Sequence, residues 1–537
     1  MKWQTKVALK ELVTTLVEYP SITGSPDEVA FPEHVKSLLD EFPYFKDHPE
    51  YVQTHPLKDG RQLLTALVKR GEEKKTVILL SHFDVVGVED YGTLEKVAFH
   101  PRELTKEMYE TKETLPPQVQ QDLAKGDWLF GRGAMDMKSG LALHLSMVER
   151  AIEGAFDGNI LLLTVPDEEV NSLGMLTALD VLKQLKQEEG LSYTACLNGE
   201  PMFSQYPGDP NYYVYSGSIG KLLPGFLSYG KETHVGEPFA GLNPNLMVGY
   251  LAEELELNET FVEHRDGEST PPPVSLMQRD LKVEYSVQTP QAAVSMYNVM
   301  YMRQSLTEIN NKLRKAAERA SLKIKAHYEQ KASAFLSGRP ELKLPNMSVR
   351  VYTYDELYQE AVERHGDFEV ERRQNLLMSL REGGDRDFST QLVYEVASLC
   401  KDLAPMIVLF YSPPFYPSVS SKDDPYIRGT LQHVMERAEQ EGITLKEIEY
   451  FSGLSDLSFI GPASSPSSLD ALLHNMPLSG KGFSLSEELL QAFQMPILNV
   501  GPHGKDAHQW TERLEMDYSF TVLPNLVSET IQKLLVS

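Results

Sequence analysis

Three short apolar runs, each ending in a turn that carries acids or a histidine, limit what this chain can fold into. Val77-Ile78-Leu79-Leu80 leads into Ser81-His82-Phe83-Asp84, and Ile160-Leu161-Leu162-Leu163 into Val165-Pro166-Asp167-Glu168-Glu169; Tyr193 to Leu197 leads into Asn198-Gly199-Glu200. Branched runs of this length, stopped by Gly, Pro or Asp, read as strands buried on both faces of a parallel sheet. Open α/β sheets place their chemistry beyond the carboxyl ends of such strands. His82, Asp84, Glu168, Glu169 and Glu200 are therefore expected at one sheet edge. Asp136 joins them from the loop Gly131-Arg132-Gly133-Ala134-Met135-Asp136. Carboxylates gathered beside a histidine repel one another unless a cation holds them, so the pattern points to a metal site.

Composition narrows the rest. A chain of 537 residues buries ample core without disulfide staples. Its two cysteines, Cys196 and Cys400, lie far apart in sequence, which fits a reducing, cytoplasmic setting and excludes a thiolate zinc site. Both Cys196 and Trp510 read as packing residues. Charged residues interrupt Met1 to Tyr19, so this stretch reads as an amphipathic helix and not a signal peptide. No apolar run approaches the roughly 20 residues that span a bilayer. The 77 acids outnumber the 51 Lys and Arg, giving a net charge of −26 that repels phosphate backbones and argues against nucleic-acid binding.

Along the chain, Trp3 to Tyr19 and Glu28 to Phe42 show helical periodicity, separated by a Pro/Gly turn. Thr111 to Gln121, with Pro116-Pro117, reads as a surface excursion. From Tyr212 the style changes. Tyr213 to Tyr215, Val283 to Val287 and Met406 to Tyr411 read as strands, and Met300 to Gln330 as a long charged helix. An α/β style returns with a helix over Tyr426 to Gln440 and closes on one over Phe520 to Val536. The expectation is a mixed, largely parallel α/β sheet with flanking helices over 1–211 and 423–537, interrupted by an α+β domain over 212–422.

At this point the chain resembles the M20 family of co-catalytic metallopeptidases. His82-Phe83-Asp84 matches the family's His-x-Asp, and Gly131 through Gly140 its Gly-Arg-Gly-Ala-x-Asp-Met-Lys-x-Gly. Asp167-Glu168-Glu169 matches Asp-Glu-Glu, Glu200 the isolated acid, and Gly501 through Glu512 the last segment, with His508 before Glu512. The resemblance covers about 1–240 and 425–537, and within the family it is greatest to the arginine-utilisation branch. It implies a phosphorylase/hydrolase-like catalytic domain with an inserted lid that dimerises. Two divalent ions are implied, zinc with cobalt or manganese as alternatives: Asp136 bridges, His82 and Glu200 complete one site, and Glu169 and His508 the other. Asp84 would orient His82, Glu168 would be the general base, and His234 of the lid would support the oxyanion.

Each signal has an ordinary reading. A lone His-x-Asp is usually a surface turn, and Asp-Glu-Glu a solvated or capping cluster. The glycine-rich loop is more specific, because three glycines around one acid imply a tight backbone at a fixed ligand. Gly217 to Lys221 is too short for a phosphate loop and lacks its Ser or Thr. Ser452-Gly453-Leu454-Ser455-Asp456 reads either as a cleft-lining turn or as a structural one. The chain is thus expected to hydrolyse an amide bond in a small peptide or N-substituted amino acid, as a homodimer without nucleic-acid or membrane partners. The rival is a metal-binding partner of arginine metabolism that has lost catalysis. The intact Glu168 argues against that rival. Arg339 and Arg386 are candidate substrate contacts without a motif, and Glu237 a candidate partner for a substrate guanidinium.

Overall fold

The computed structural model describes residues 1–206, 208–337, 345, 347–465 and 468–536. They form two compact units: Met1–Ile219 with Pro417–Ala463 and Glu488–Ser537, and Gly220–Tyr416 with Ser464–Glu487.

The first unit is built on a nine-stranded sheet. Its centre is parallel: Asn159–Val165, Lys75–His82, Ser192–Asn198 and Ile497–Asn499 lie side by side. Every residue of Asn159–Val165 is buried, as an uninterrupted apolar run requires when helices cover both faces. Gln62–Val68 and Val52–Pro56 extend one side antiparallel. On the other side stand Tyr212–Ser218 and, parallel to it, Leu445–Phe451. The helix Lys138–Ile152 is buried along nearly its whole length and packs on the central strands and on the helices Lys6–Val17 and Leu523–Val536.

Thr111 to Gln121 is more ordered than its prolines suggested. A helix, Pro117–Lys125, starts with Pro117 in its first turn, where the fixed φ of proline favours helix entry, and Val119 and Leu123 pack on Trp128 and Met108.

The second unit holds a six-stranded sheet, in order Val274–Asp280, Ala292–Tyr301, Pro224–Tyr229, Met406–Tyr411 and Arg350–Thr353, with Gly220–Leu222 paired to Ala292–Tyr301. Its longest helix, Leu306–Phe335, opens on a capping box of Ser305 and Glu308, so the start lies beyond the expected Met300, which belongs to a strand.

Three further expectations differ from this architecture. Tyr212–Ser218 belongs to the first unit's sheet, which moves the boundary to Gly220. Ser464–Glu487 belongs to the second unit, where Tyr411 N–H donates to Asn475 O at 2.8 Å and Asp355 N–H to Asn475 Oδ1 at 3.0 Å. Val283 to Val287 is no strand: Val283 is 97% and Tyr285 93% exposed. Lys282 Nζ donates to the carbonyls of Ser286 and Gln288, closing this stretch into a local loop. No helix among the described residues is long and apolar enough to cross a membrane.

Candidate metal centre

Strand register sets the site. Parallel pairing puts His82 opposite Val165 and Leu80 opposite Asn198, so the turns that follow emerge at one edge. There, two sets of donor atoms form, His82 with Asp136 and Glu200, and Asp136 with Glu169 and His508, each set lying within 4.8 Å. His82 Nε2 is 3.3 Å from Asp136 Oδ1 and 3.6 Å from Glu200 Oε1. His508 Nε2 is 3.3 Å from Asp136 Oδ2 and 3.0 Å from Glu169 Oε1. The two imidazoles thus lie beside different oxygens of one carboxylate. Glu168 belongs to neither set, and its Oε2 is 3.9 Å from His82 Nε2.

Asp84 departs in part from its expected task. The nearer partner of His82 Nδ1 is the main-chain oxygen of Asp84 at 3.0 Å, with the carboxylate Oδ1 at 3.5 Å. The carboxylate itself accepts the N–H of Glu168 at 3.1 Å, the N–H of Glu169 at 3.3 Å and the Thr23 hydroxyl at 2.9 Å. Asp84 therefore holds the turn that carries both glutamates as well as the imidazole.

The glycine-rich loop is fixed by two residues to which the sequence patterns gave no role. Arg132 Nη1 pairs with Glu512 Oε2 at 2.8 Å, its Nη2 with Asp90 Oδ1 at 2.8 Å, and its guanidinium covers the Tyr91 ring. Glu512 Oε1 accepts the N–H of Met135 at 3.1 Å and of Asp136 at 3.3 Å, anchoring the aspartate shared by both donor sets by its own backbone. Gly133 has φ +78, and a Cβ there would stand 2.7 Å from Val85 Cγ1. The spacing of Glu512, four residues after His508, was the available signal.

The electrostatics fit divalent cations. Burial, then repulsion by neighbouring acids, holds the Glu168 and Glu200 carboxyls well above the usual range despite the opposing pull of His82. Burial also raises Glu169, against its hydrogen bond from His508. His508 is pushed up to about 11 by its hydrogen bonds to Asp136 and Glu169. Burial opposes a charged His82, yet Glu200, Asp136 and Asp84 keep its pKa well above the usual value. Two cations would return the acids to their ionised form and the imidazoles to their neutral form, which are the forms that ligate. The donors are nitrogen and oxygen throughout.

Asp456, in the turn Ser452 to Asp456, is buried, and burial pushes its carboxyl up to about 7. Ser455 Oγ accepts from Asn198 Nδ2 at 2.7 Å, tying this turn to the strand that leads to Glu200. Cys196 is fully buried and Trp510 packs beside Trp128 and Phe130. Gly217 and Ser218 end one strand and Gly220–Leu222 forms another, so no phosphate loop exists there. His234 belongs to the second unit, is exposed, and accepts the Gly236 N–H on Nδ1 at 3.0 Å. Glu237 is exposed on the same turn, Arg386 lies in the first turn of the helix Asp385–Leu399, and Arg339 lies outside the described residues.

A largely parallel α/β sheet whose strand ends carry two donor sets joined by one aspartate defines a metal-dependent hydrolase. The chain belongs to peptidase family M20/M25/M40, whose model matches residues 78–472, and it is accordingly a metal-dependent amide hydrolase. It is 53% identical over 537 residues to the uncharacterized protein YqjN of Bacillus subtilis, covering 100% of this chain and 98% of that one. Identity to Protein RocB of the same organism is 31%, covering 98% and 95%. A tripeptidase from Staphylococcus aureus shares the fold at a TM-score of 0.54 and 13% identity, with 100% of both chains covered.

Proposed function

We propose that this hydrolase cleaves the amide bond of a small peptide or an N-substituted amino acid, with arginine or a close relative in the substrate. The observation that carries this reading is Glu168 standing beside His82 but outside two donor sets that share Asp136. His82, Asp136 and Glu200 would hold one ion and Asp136, Glu169 and His508 the other, with zinc, cobalt or manganese suited to these donors. Bound there, two divalent cations would supply carbonyl polarisation and a lowered pKa for the attacking water. Glu168, ionised when the cations are bound, would take the proton of that water and return it to the leaving amine. Asp84 keeps the base and its neighbouring ligand from exchanging places by holding both of their N–H groups. His234 would stabilise the oxyanion, and the protein would act as a cytoplasmic homodimer.

Kinship with RocB supports the arginine-utilisation branch. The net charge of −26 favours approach of cationic substrates, but such a field does not select among them. Selection needs an acid that meets the planar guanidinium at two points, and Glu237 is the position assigned to it. The test is kcat/KM of zinc- or manganese-loaded protein on matched arginine, lysine and leucine dipeptides and N-acyl amino acids. An arginine preference that vanishes in Glu237→Gln is expected. Equal rates on all three refute the arginine reading. Metal binding with no hydrolysis of any member refutes this substrate reading.

A further inference from the structure

The turn that carries Glu168 and Glu169 is braced by a charged network that the metal chemistry does not use. Asp167 has φ 70, a conformation that residues with a side chain rarely adopt, so its surroundings must hold it there. Its N–H donates to Glu28 Oε1 at 3.0 Å. The next two N–H groups, of Glu168 and Glu169, donate to the two oxygens of Asp84. Three consecutive amides are thus fixed by carboxylates more than eighty residues away in sequence. The Asp167 side chain closes the turn forward, with Oδ2 accepting the Leu173 N–H at 3.0 Å where the helix Leu173–Glu188 begins.

Arg61 joins these parts. Its Nη1 is 2.6 Å from Asp167 Oδ1 and 3.2 Å from Glu28 Oε1, and its Nη2 is 2.6 Å from Asp59 Oδ2. The side chains of Arg61, Glu28 and Asp167 are 13%, 0% and 4% exposed, so water does little to screen the acids from one another. Three carboxylates converge on one guanidinium. A planar fork of five donors can meet all three, whereas a single ammonium can not keep the same directions.

We infer that Arg61 is a positioning residue that acts through Asp167, locking the left-handed turn that sets Glu168 beside His82 and Glu169 beside His508. The catalytic part of this inference rests on the hydrolysis proposed above. The metal-binding part does not.

The test uses the full chain with Arg61→Gln, Arg61→Lys, Asp167→Asn and the Arg61→Gln/Asp167→Asn double variant. Three quantities are read: the urea midpoint, zinc affinities of metal-free protein by calorimetry, and kcat and KM on the best substrate. Arg61→Gln is expected to lower kcat by about 10- to 100-fold with KM within about threefold, and to weaken one zinc site by about tenfold. Arg61→Lys should recover only part of either loss. The double variant should lose little more than Arg61→Gln, because one residue works through the other. A salt bridge that merely supports the fold would shift the midpoint alone. Unchanged kcat and zinc affinities in folded Arg61→Gln overturn the inference, as do additive losses in the double variant. If Arg61→Gln does not fold, Arg61→Lys decides, and wild-type values there overturn it. If the wild-type protein hydrolyses no substrate, the proposed function falls, while the zinc affinities still decide the role of Arg61.

Discussion

Replacing Gly140 with alanine sets two physical effects of known sign against each other. Gly140 lies inside the helix Lys138–Ile152, where alanine is ordinarily better by about 1 kcal/mol. Here, however, a Cβ would stand 2.1 Å from Gly199 O and 2.8 Å from Met137 Cε. The methionine end can swing away; the carbonyl is main chain, one residue before Glu200. Neither side offers room, since the Gly199 N–H is bonded to Leu80 O and a Cβ at Gly501 would already meet Glu200 O at 1.9 Å. Overpacking of this kind costs about 1–3 kcal/mol, and an immovable partner places it at the upper end. Subtracting the helix gain leaves Gly140→Ala destabilised by about 2 kcal/mol, with Glu200 displaced from His82. Gly249 in the helix Pro244–Leu255 is the control, because a Cβ there meets nothing within 4 Å, so Gly249→Ala should gain about 0.5–1 kcal/mol. Urea unfolding of metal-free protein measures both, and calorimetry should show one zinc site weakened in Gly140→Ala alone. If Gly140→Ala is as stable as Gly249→Ala, the close approach does not constrain Glu200 and the reasoning fails.

Glu168→Gln keeps size and shape but removes the proposed base, so metal content should stay while the rate falls on the order of 10² to 10⁴. Glu169→Gln should lose metal first, and equal metal loss in the two variants would show their roles to be merged. Metal-free protein should lose stability as pH rises. Burial pushes Glu28, Asp456 and Glu512 up to about 7, whereas the unfolded chain titrates such groups at about 4. Between those values the folded state holds more protons, so stability falls with rising pH; His508, raised to about 11, extends the fall upward from about 6.5 with the same sign, and together these groups outweigh the opposite trend of buried Lys138, lowered to about 7, and of His144 and His503, lowered to about 3 and about 4. Urea midpoints of chelated protein should drop from pH 5.5 to 8.5 and those of zinc-loaded protein should drop less. A midpoint that climbs across that window contradicts the assignment.

What could be read from sequence was what local patterning encodes. Val77 to Leu80 and Ile160 to Leu163 could be read because a strand covered on both faces has no polar position to interrupt it. Val283 to Val287 misled for the complementary reason: its period-two alternation has no face to bury, and among the described residues its backbone is held by Lys282 and, at Val287 alone, by the Val235 N–H. Nothing local marks Ser464 to Glu487 as belonging to the second unit, because Asn475 finds its partners at Tyr411 and Asp355. The braces of the site were hidden in the same way. Arg61 meets Asp167 across 106 positions, and Arg132 meets Glu512 across 380.

Adjacent glutamates show why those braces matter to chemistry. In an extended strand Glu168 and Glu169 would point to opposite faces, and in a helix they would diverge by about 100°. Either geometry would carry one of them away from the centre. The left-handed residue at 167 permits a third course, in which Glu169 Oε1 comes within 3.0 Å of His508 Nε2 while Glu168 Oε2 stays 3.9 Å from His82 Nε2. Two carboxylates of the same type, one bond apart in the chain, thereby meet two different imidazoles. The proposed division between base and ligand would therefore be a property of the turn and of the residues that hold its three amides, and not of the Asp-Glu-Glu triplet alone.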